Sequence, residues 1–159
     1  MQLLLQISDL IRHYFRRRQW RGDLALGRRA EDIAHRFLQR RGYLVAARNV
    51  RAADGSGELD LVAWQEGTLV FVEVKSRSTT EFGAPERAIG PEKQEHILRM
   101  ARDYVRRRGG EPVPVRFDMV TVVFGPRTKV EHWPDAFIPP RGWFPAASDQ
   151  ACRSASAGR

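Results

Sequence analysis

Apolar residues recur at helical spacing in three segments of the chain. They predict helices over residues 1–21, 24–41 and 91–108. The apolar stripe of the middle helix consists of Ala30, Ile33, Ala34, Phe37 and Leu38. Gly42 follows this helix as a terminating residue would, and Pro91 opens the last helix at the position that proline favours. We expect residues 1–21 to form an amphipathic extension, which either packs on the domain or on a second copy, or serves as a docking arm, a membrane-surface element or a DNA contact.

Apolar runs predict five strands, over residues 43–50, 58–64, 69–75, 115–124 and 129–133. The pair Glu66-Gly67 between the second and third runs indicates a hairpin. The order of helix, three strands, helix and two strands predicts an α/β fold, with a mixed sheet of about five strands flanked by helices. We expect this domain to occupy residues 22–138. A disordered tail is expected over 139–159, because that segment is rich in Pro, Ser, Ala and Gly.

A two-residue turn at Glu66-Gly67 fixes which side chains of the hairpin face each other. The opposed pairs are Val62 with Phe71, Asp60 with Glu73, and Glu58 with Lys75. Two carboxylates at opposed positions repel each other, and a divalent cation between them would remove that cost. Mg²⁺ binds one or two carboxylates and takes water and phosphate oxygens as its other ligands. The hairpin therefore predicts a cation site at Asp60 and Glu73, with Lys75 one pleat further along the same face.

Two acids and a lysine on one sheet face are the groups that metal-assisted phosphodiester hydrolysis needs. The lysine would orient or deprotonate a water molecule, or stabilise negative charge on the phosphate. The spacing alone leaves a second interpretation equally open. In that interpretation the hairpin is an ordinary solvent-facing one, and Glu58 and Lys75 form a cross-strand ion pair.

The distribution of charge favours an anionic partner. The chain is 42% hydrophobic, which is typical of a globular protein, and has a formal net charge of +8. Residues 1–52 contain 12 Lys and Arg against 4 Asp and Glu, whereas the remaining residues contain 15 against 15. Nearly all of the excess is arginine, whose planar guanidinium suits phosphate oxygens. We expect a polyanion, such as nucleic acid, to be the partner; codon usage in a GC-rich genome is the alternative explanation.

Other features restrict the class of protein. Cys152 is the single cysteine, so an intrachain disulfide is excluded and a reducing, cytoplasmic location is expected. No apolar run is long enough for an integral membrane segment or resembles a secretion signal. The four histidines lack the spacing of zinc ligands, and no glycine-rich nucleotide-binding loop is present. We expect Asp118, on an apolar strand, to make a structural hydrogen bond.

Five stretches, in this order and spacing, resemble the YraN family of bacterial proteins of unassigned function. They are Gly27-Arg28-Arg29-Ala30-Glu31, Gly57-Glu58-Leu59-Asp60-Leu61-Val62, Val70-Phe71-Val72-Glu73-Val74-Lys75-Ser76-Arg77, Pro91-Glu92-Lys93-Gln94 and Arg116-Phe117-Asp118-Met119-Val120. The resemblance covers about residues 24–137. It implies a restriction-endonuclease-like fold and a likeness to archaeal Holliday-junction resolvases, whose active sites carry the pattern Asp…Glu-x-Lys.

The resemblance also implies roles for individual residues. By position, Asp60 and Glu73 would bind Mg²⁺ or Mn²⁺, and Lys75 would be the catalytic lysine. Glu31 would be the helix-borne acid that some resolvases add to the metal site, although a salt bridge is an equal alternative. The expected nucleic-acid contacts are Lys93, Gln94, Arg77, Arg28 and Arg29. Lys93 and Gln94 begin a helix, so a role as caps or surface residues is also open.

Three functions are therefore expected in decreasing order. The first is a metal-dependent endonuclease that acts on structured or single-stranded DNA. The second is a nucleic-acid-binding module that keeps the nuclease fold without catalysis. The third is a partner-binding or membrane-surface factor acting through residues 1–21. Junction-cutting enzymes need two symmetry-related sites, so a homodimer would suit the first function.

Overall fold

The computed structural model describes residues 24–52, 55, 57–77, 89–109 and 113–143. The predicted helix over 1–21 and the end of the chain after residue 143 lie outside these residues. The elements are a helix α1 over 24–40, strands β1 (Leu44–Arg51), β2 (Glu58–Gln65) and β3 (Thr68–Arg77), a helix α2 (Pro91–Arg107), and strands β4 (Val115–Val123) and β5 (Lys129–Trp133). The predicted order of elements and the mixed α/β class are confirmed.

The five strands form one sheet in the order β1-β2-β3-β4-β5. Neighbouring strands are antiparallel except β3 and β4, which are parallel and are connected through α2. A parallel pair requires such a crossover, because the chain must return to the same end of the sheet. Strand β3 lies in the middle, and its segment from Leu69 to Glu73 is buried without interruption. Among the described residues, neither helix is long and apolar enough to cross a membrane.

The β2–β3 hairpin turns at Glu66 and Gly67, as predicted. Both residues have positive φ angles, 48° and 78°, which are those of the type I′ turn that suits a two-residue hairpin. The register follows from this turn: Gln65 pairs with Thr68, and the ladder continues to Val62 with Phe71 and Leu61 with Val72. The predicted register is therefore confirmed as far as Leu61.

Helix α1 ends in a defined backbone motif. Gly42 has a φ of 84°, and its N–H donates to the carbonyl of Gln39, while the N–H of Tyr43 donates to that of Leu38. This is the Schellman arrangement, in which a residue with positive φ closes the helix. Tyr43 and Leu38 also belong to the same buried cluster. The predicted role of Gly42 is confirmed.

Each face of the sheet is covered by one helix. On one face, Ala30, Ala34 and Leu38 of α1 pack on β2, β3 and β4. On the other, Ile97, Met100 and Tyr104 of α2 pack on the same three strands. The sheet therefore lies between two helical layers, and a side chain on β3 points toward either α1 or α2 according to its position.

The packed domain extends past the expected boundary at residue 138. Trp143 is 6% exposed, and its ring stands edge-on to Phe117 at 5.3 Å between centroids. The guanidinium of Arg102 on α2 donates to the Trp143 carbonyl at 3.0 Å. The composition of residues 139–143 suggested a tail because two prolines open it, whereas Trp143 contributes apolar area to the core beneath α2.

Candidate functional site: a carboxylate and lysine cluster where two strands separate

Strands β2 and β3 separate directly beyond their last pair, Leu61 with Val72. Asp60 precedes Leu61 on β2, and its side-chain carboxylate replaces the backbone carbonyl that would otherwise accept a hydrogen bond from β3. Its Oδ2 accepts a hydrogen bond from the backbone N–H of Val74 at 2.7 Å. The regular alternation of side chains along β2 also ends here. Leu59 and Leu61 would share one face of a regular strand, but Leu59 packs beneath α2 and Leu61 packs beneath α1. The separation thus brings a side-chain carboxylate into the sheet.

Glu73 is a buried carboxylate with two ammonium partners. Only 6% of its side chain is exposed, and its neighbour Phe71, two residues away on the same strand face, packs beneath α2. Its Oε1 lies 3.2 Å from Nζ of Lys75, and its Oε2 lies 3.1 Å from Nζ of Lys93. Lys75 is on β3, whereas Lys93 is in the first turn of α2. Two elements therefore supply positive charge to one acid.

The pKa of Asp60 is raised from 3.8 to about 7, first by burial and then by the negative charge of Glu73. The hydrogen bond from Val74 and the charge of Lys93 act in the opposite direction, and Glu31 adds to the rise. Asp60 and Glu73 are therefore close enough to repel each other. The predicted proximity of the two acids is confirmed, although they are not a backbone pair of the ladder.

These two acids are suitable ligands for a hard divalent cation. Asp60 and Glu73 present oxygen atoms in a partly dry site, and Mg²⁺ is commonly bound by two carboxylates that leave room for water and phosphate oxygens. A cation would also relieve the repulsion that raises the pKa of Asp60. Within the described part of the chain, no group of three or more His, Cys, Asp or Glu converges closely enough to form a ligand set. Asp60 and Glu73 would therefore supply two ligands, and Glu31 does not complete a group of three with them.

Glu31 approaches this pair from α1. Its Oε2 accepts a hydrogen bond from Nδ2 of Asn49 at 2.7 Å and lies 3.9 Å from Arg48. The negative charge of Glu31 contributes to raising the pKa of Asp60. Sequence reasoning missed Asn49, which belongs to none of the motifs. The one signal available was an asparagine within a run of strand-forming residues, since asparagine is depleted in strands.

The expected nucleic-acid contacts lie in different surroundings. Arg28 is exposed beside a groove of about 750 Å³ that Glu31 and Asn49 also line. The guanidinium of Arg29 lies 5.3 Å from the centroid of the Phe124 ring. Phe124 in turn donates its backbone N–H to the carbonyl of Arg77. Arg29 and Arg77 therefore lie at the end of the sheet toward which β3 carries Lys75.

Gln94 makes local hydrogen bonds at the start of α2. Its backbone N–H donates to the carbonyl of Gly90, and its side-chain Nε2 donates to the carbonyl of Ile89 at 2.9 Å. Gly90 contributes no side-chain cap, and the bond from Gln94 Nε2 to Ile89 ties the first turn of α2 to the residue before it. This bond is a local structural contact, and binding of nucleic acid by Gln94 stays a prediction. Lys93 points instead to Glu73.

The predicted opposition of Glu58 and Lys75 is wrong. The β2–β3 ladder has ended before Glu58, which pairs with Arg51 of β1 at 3.7 Å. Lys75 contacts Glu73. The predicted pairing does not continue to Glu58, because the two strands diverge at Asp60. There the side chain of Asp60, and not its backbone, accepts the N–H of Val74 on β3. The interpretation as an ordinary hairpin with a Glu58–Lys75 ion pair fails with it.

Asp118 makes the structural hydrogen bonds expected of it. It is 1% exposed and accepts from Arg116 at 2.8 and 2.9 Å and from Nε2 of His132 at 2.8 Å. Arg116 also donates to Tyr43 and Gln65. These hydrogen bonds hold the pKa of Asp118 below its usual range against the opposing effect of burial. The network lies on the α1 side, among residues that pack with Val120 and Val122.

Together, the fold and the site define a mixed α/β protein with paired carboxylates and lysines at a strand separation. The model of the Uncharacterised protein family UPF0102 matches residues 30–122, and the chain belongs to this family. The UPF0102 protein of Solibacter usitatus is 50% identical over 111 residues, which cover 70% of this chain and 84% of the relative. That of Koribacter versatilis is 39% identical over 116 residues, 72% of this chain and 80% of the relative. The predicted membership of the YraN family, which is UPF0102, is confirmed.

Proposed function

We propose that this protein is a metal-dependent phosphodiesterase that cuts nucleic acid, with Asp60, Glu73 and Lys75 as its catalytic residues. One observation carries the proposal: the buried carboxylate of Glu73 interacts with the half-buried carboxylate of Asp60, and lysines from two elements contact Glu73. Burying like charges together costs stability, and such sites are concentrated where chemistry is done. Mg²⁺ or Mn²⁺ is the cation that this oxygen-donor pair suits.

Each residue has a distinct task in this proposal. Asp60 and Glu73 would hold the cation, which supplies Lewis-acid activation of a water molecule and of the phosphate. Lys75 would stabilise the negative charge that builds up on phosphorus-bound oxygen as water attacks. Hydrolysis then consumes one water and breaks one P–O bond, which leaves a phosphomonoester and an alcohol. Lys93, on the far oxygen of Glu73, would bind a neighbouring phosphate.

The surrounding charge supports a polyanionic substrate. Arg28 and Arg29 are exposed at the start of α1, and Arg77 ends β3 beyond Lys75. Arginine side chains at the end of a sheet next to a catalytic lysine suit the phosphates of a nucleic-acid backbone. A cytoplasmic location, where the protein would meet the DNA of the cell, belongs to the same proposed function. Structured or single-stranded DNA is the proposed substrate.

A cleavage assay tests the proposal. Purified protein would be incubated with branched, flapped and linear DNA in Mn²⁺ and Mg²⁺. Wild-type protein should cut at least one of them, and Asp60→Asn and Glu73→Gln should abolish cutting. Glu66→Asn is the matched control, because it removes one negative charge from the turn at the other end of β2. Failure of the wild type to cut any substrate, or equal cutting by Asp60→Asn, would reject the catalytic assignment.

A second function is favoured by one observation: both oxygens of Glu73 already have ammonium partners. A carboxylate satisfied in this way suits a nucleic-acid-binding module that has no need of a cation. Gel-shift titrations across salt concentrations test binding itself, which should weaken by about 0.9 log unit per phosphate contact for each tenfold rise in salt. Salt-sensitive binding without cleavage would establish this function, whereas a flat salt response would reject nucleic-acid binding altogether.

A further inference from the structure

Asn49 has a backbone conformation that is uncommon within a strand. Its φ is 49°, in the left-handed region that asparagine tolerates better than other residues with a side chain. Its neighbours Arg48 and Val50 pair with Leu61 and Leu59 of β2. Asn49 therefore lies directly opposite Asp60. The irregular residue of β1 thus lies next to the candidate site.

The side chain of Asn49 is directed at Glu31. Its Nδ2 donates to Glu31 Oε2 at 2.7 Å, which joins β1 to α1. A second donor is within reach of the same oxygen, since Nη2 of Arg48 lies 3.9 Å away. Arg48 makes its short contact elsewhere, at 2.6 Å from Asp32. Glu31 is therefore oriented by a neutral amide at hydrogen-bond distance, and it shares the more distant guanidinium of Arg48 with Asp32.

The difference between these two donors matters for electrostatics. The guanidinium of Arg48, at 3.9 Å, offsets part of the charge of Glu31, whereas the amide of Asn49 fixes the position of the carboxylate without adding a charge. The side chain of Glu31 is only 14% exposed, so water screens its charge little. Glu31 is bonded to Asn49, which lies opposite Asp60, so this carboxylate is near the pair that could hold a cation.

We propose that Asn49 is a positioning residue, which holds Glu31 near Asp60 and thereby strengthens the binding of a divalent cation. Asn49 acts through Glu31 and contacts no cation itself. Neighbours that orient the groups of a metal site often change its affinity by 10- to 100-fold when they are removed. This inference rests on the proposed function, because it requires that Asp60 and Glu73 bind a divalent cation.

The test is a titration of the metal-free protein with Mn²⁺, with free Mn²⁺ measured by electron paramagnetic resonance. Asn49→Gly is the informative variant, because glycine accepts the positive φ and only the amide is lost. It should bind Mn²⁺ about tenfold more weakly than wild type. Glu31→Gln should have a similar effect, and the double variant Asn49→Gly, Glu31→Gln should be no weaker than Glu31→Gln alone. Ala46→Gly, which places glycine at an exposed position of β1, is the control for a weakened strand.

Each outcome separates this inference from the function on which it rests. If wild-type protein binds no Mn²⁺, the metal site is wrong and the role of Asn49 falls with it. If wild type binds and Asn49→Gly binds equally well, only the role of Asn49 is wrong. Equal losses from Asn49→Gly in the wild-type and Glu31→Gln backgrounds would also overturn it, because they would show an effect that does not pass through Glu31. Urea denaturation of each variant confirms that the titrated protein is folded.

Discussion

The carboxylate of Asp60 accepts the backbone N–H of Val74 at 2.7 Å, just beyond the last backbone pair of the two strands. The bond fixes an acid inside the sheet and prevents Val74 from being left without a partner, which would be costly. It also holds that acid near Glu73, whose charge contributes to raising the pKa of Asp60. The position that makes this pair suitable for a cation therefore costs stability when no cation is bound.

The cost should appear as a pH dependence of stability. The pKa of Asp60 is about 7 in the folded protein and 3.8 as a reference value for the unfolded chain. Below pH 4 the carboxyl is protonated in both states. As pH rises to 7, the unfolded chain releases this proton before the folded protein does, so the stability contributed by proton binding is lost. Urea denaturation of metal-free protein should show a fall of about 2–4 kcal/mol between pH 4 and pH 8.

Asp60→Asn is the control for this pH effect. Its amide oxygen can still accept from Val74, but it has no proton to release, so the fall between pH 4 and pH 8 should be much smaller. Saturating Mn²⁺ at pH 8 should stabilise the wild type and leave Asp60→Asn unchanged. A fall of equal size in both proteins would show that other groups set the pH dependence.

The two lysines on Glu73 should be partly redundant for stability. Lys75→Met and Lys93→Met each leave one ammonium group on this buried acid. The double variant leaves none, so it should lose more stability than the two single losses together, because the acid then has no cationic partner. Strictly additive losses in urea denaturation would contradict this coupling.

The same lysines should differ in catalysis. Lys75→Met should lower the rate of DNA cleavage by about 10²- to 10³-fold, because it removes the group that stabilises charge on the reacting phosphate. Lys93→Met should mainly weaken DNA binding, since Lys93 is proposed to contact a neighbouring phosphate. Single-turnover rates and gel-shift affinities measure the two effects separately. Equal rate losses at saturating protein would show that the lysines share one task.

Gly57 lies against the ring of His96 on α2. A Cβ at Gly57 would be 2.1 Å from His96 Nε2, so Gly57→Ala must push the ring aside and disturb its 3.1 Å contact with Arg99. We expect a loss of about 1 kcal/mol in the free energy of unfolding. The loss should be smaller in a His96→Ala background, where only the strain of alanine at a φ of 158° remains. An undiminished loss there would indicate that backbone conformation, and not the ring, makes glycine necessary.

Arg116 should matter for folding and not for the site. Arg116→Met leaves the buried Asp118 without its two guanidinium bonds, and should cost about 3 kcal/mol in urea denaturation. Mn²⁺ affinity should stay unchanged, because Asp118 lies among residues packed beneath α1, whereas Glu73 follows Phe71 on the α2 side. Arg36→Met, at an exposed position of α1, is the control and should change stability by less than about 0.5 kcal/mol. A large change in Mn²⁺ affinity would connect the two clusters.

Features set by neighbouring residues could be predicted from the sequence. Hydrophobic spacing located the described helices and strands, and Gly42 and Glu66-Gly67 closed a helix and a hairpin as expected. A tight turn leaves few choices of register, which is why the pairing of Leu61 with Val72 could be predicted. The packing of Trp143 could not, because its partner Phe117 lies far away in the chain.

The sequence by itself determined that Asp60 and Glu73 come close together, since one short hairpin joins them and its turn fixes the register. Tertiary structure decided how they meet. The approach of Lys93 from α2 and the bond from Asn49 to Glu31 join different elements of the fold. Such contacts depend on how two helical layers pack on one sheet, and no local pattern of residues encodes that packing. The paired acids are thus a local consequence of the hairpin, whereas their charged surroundings are a product of the whole fold.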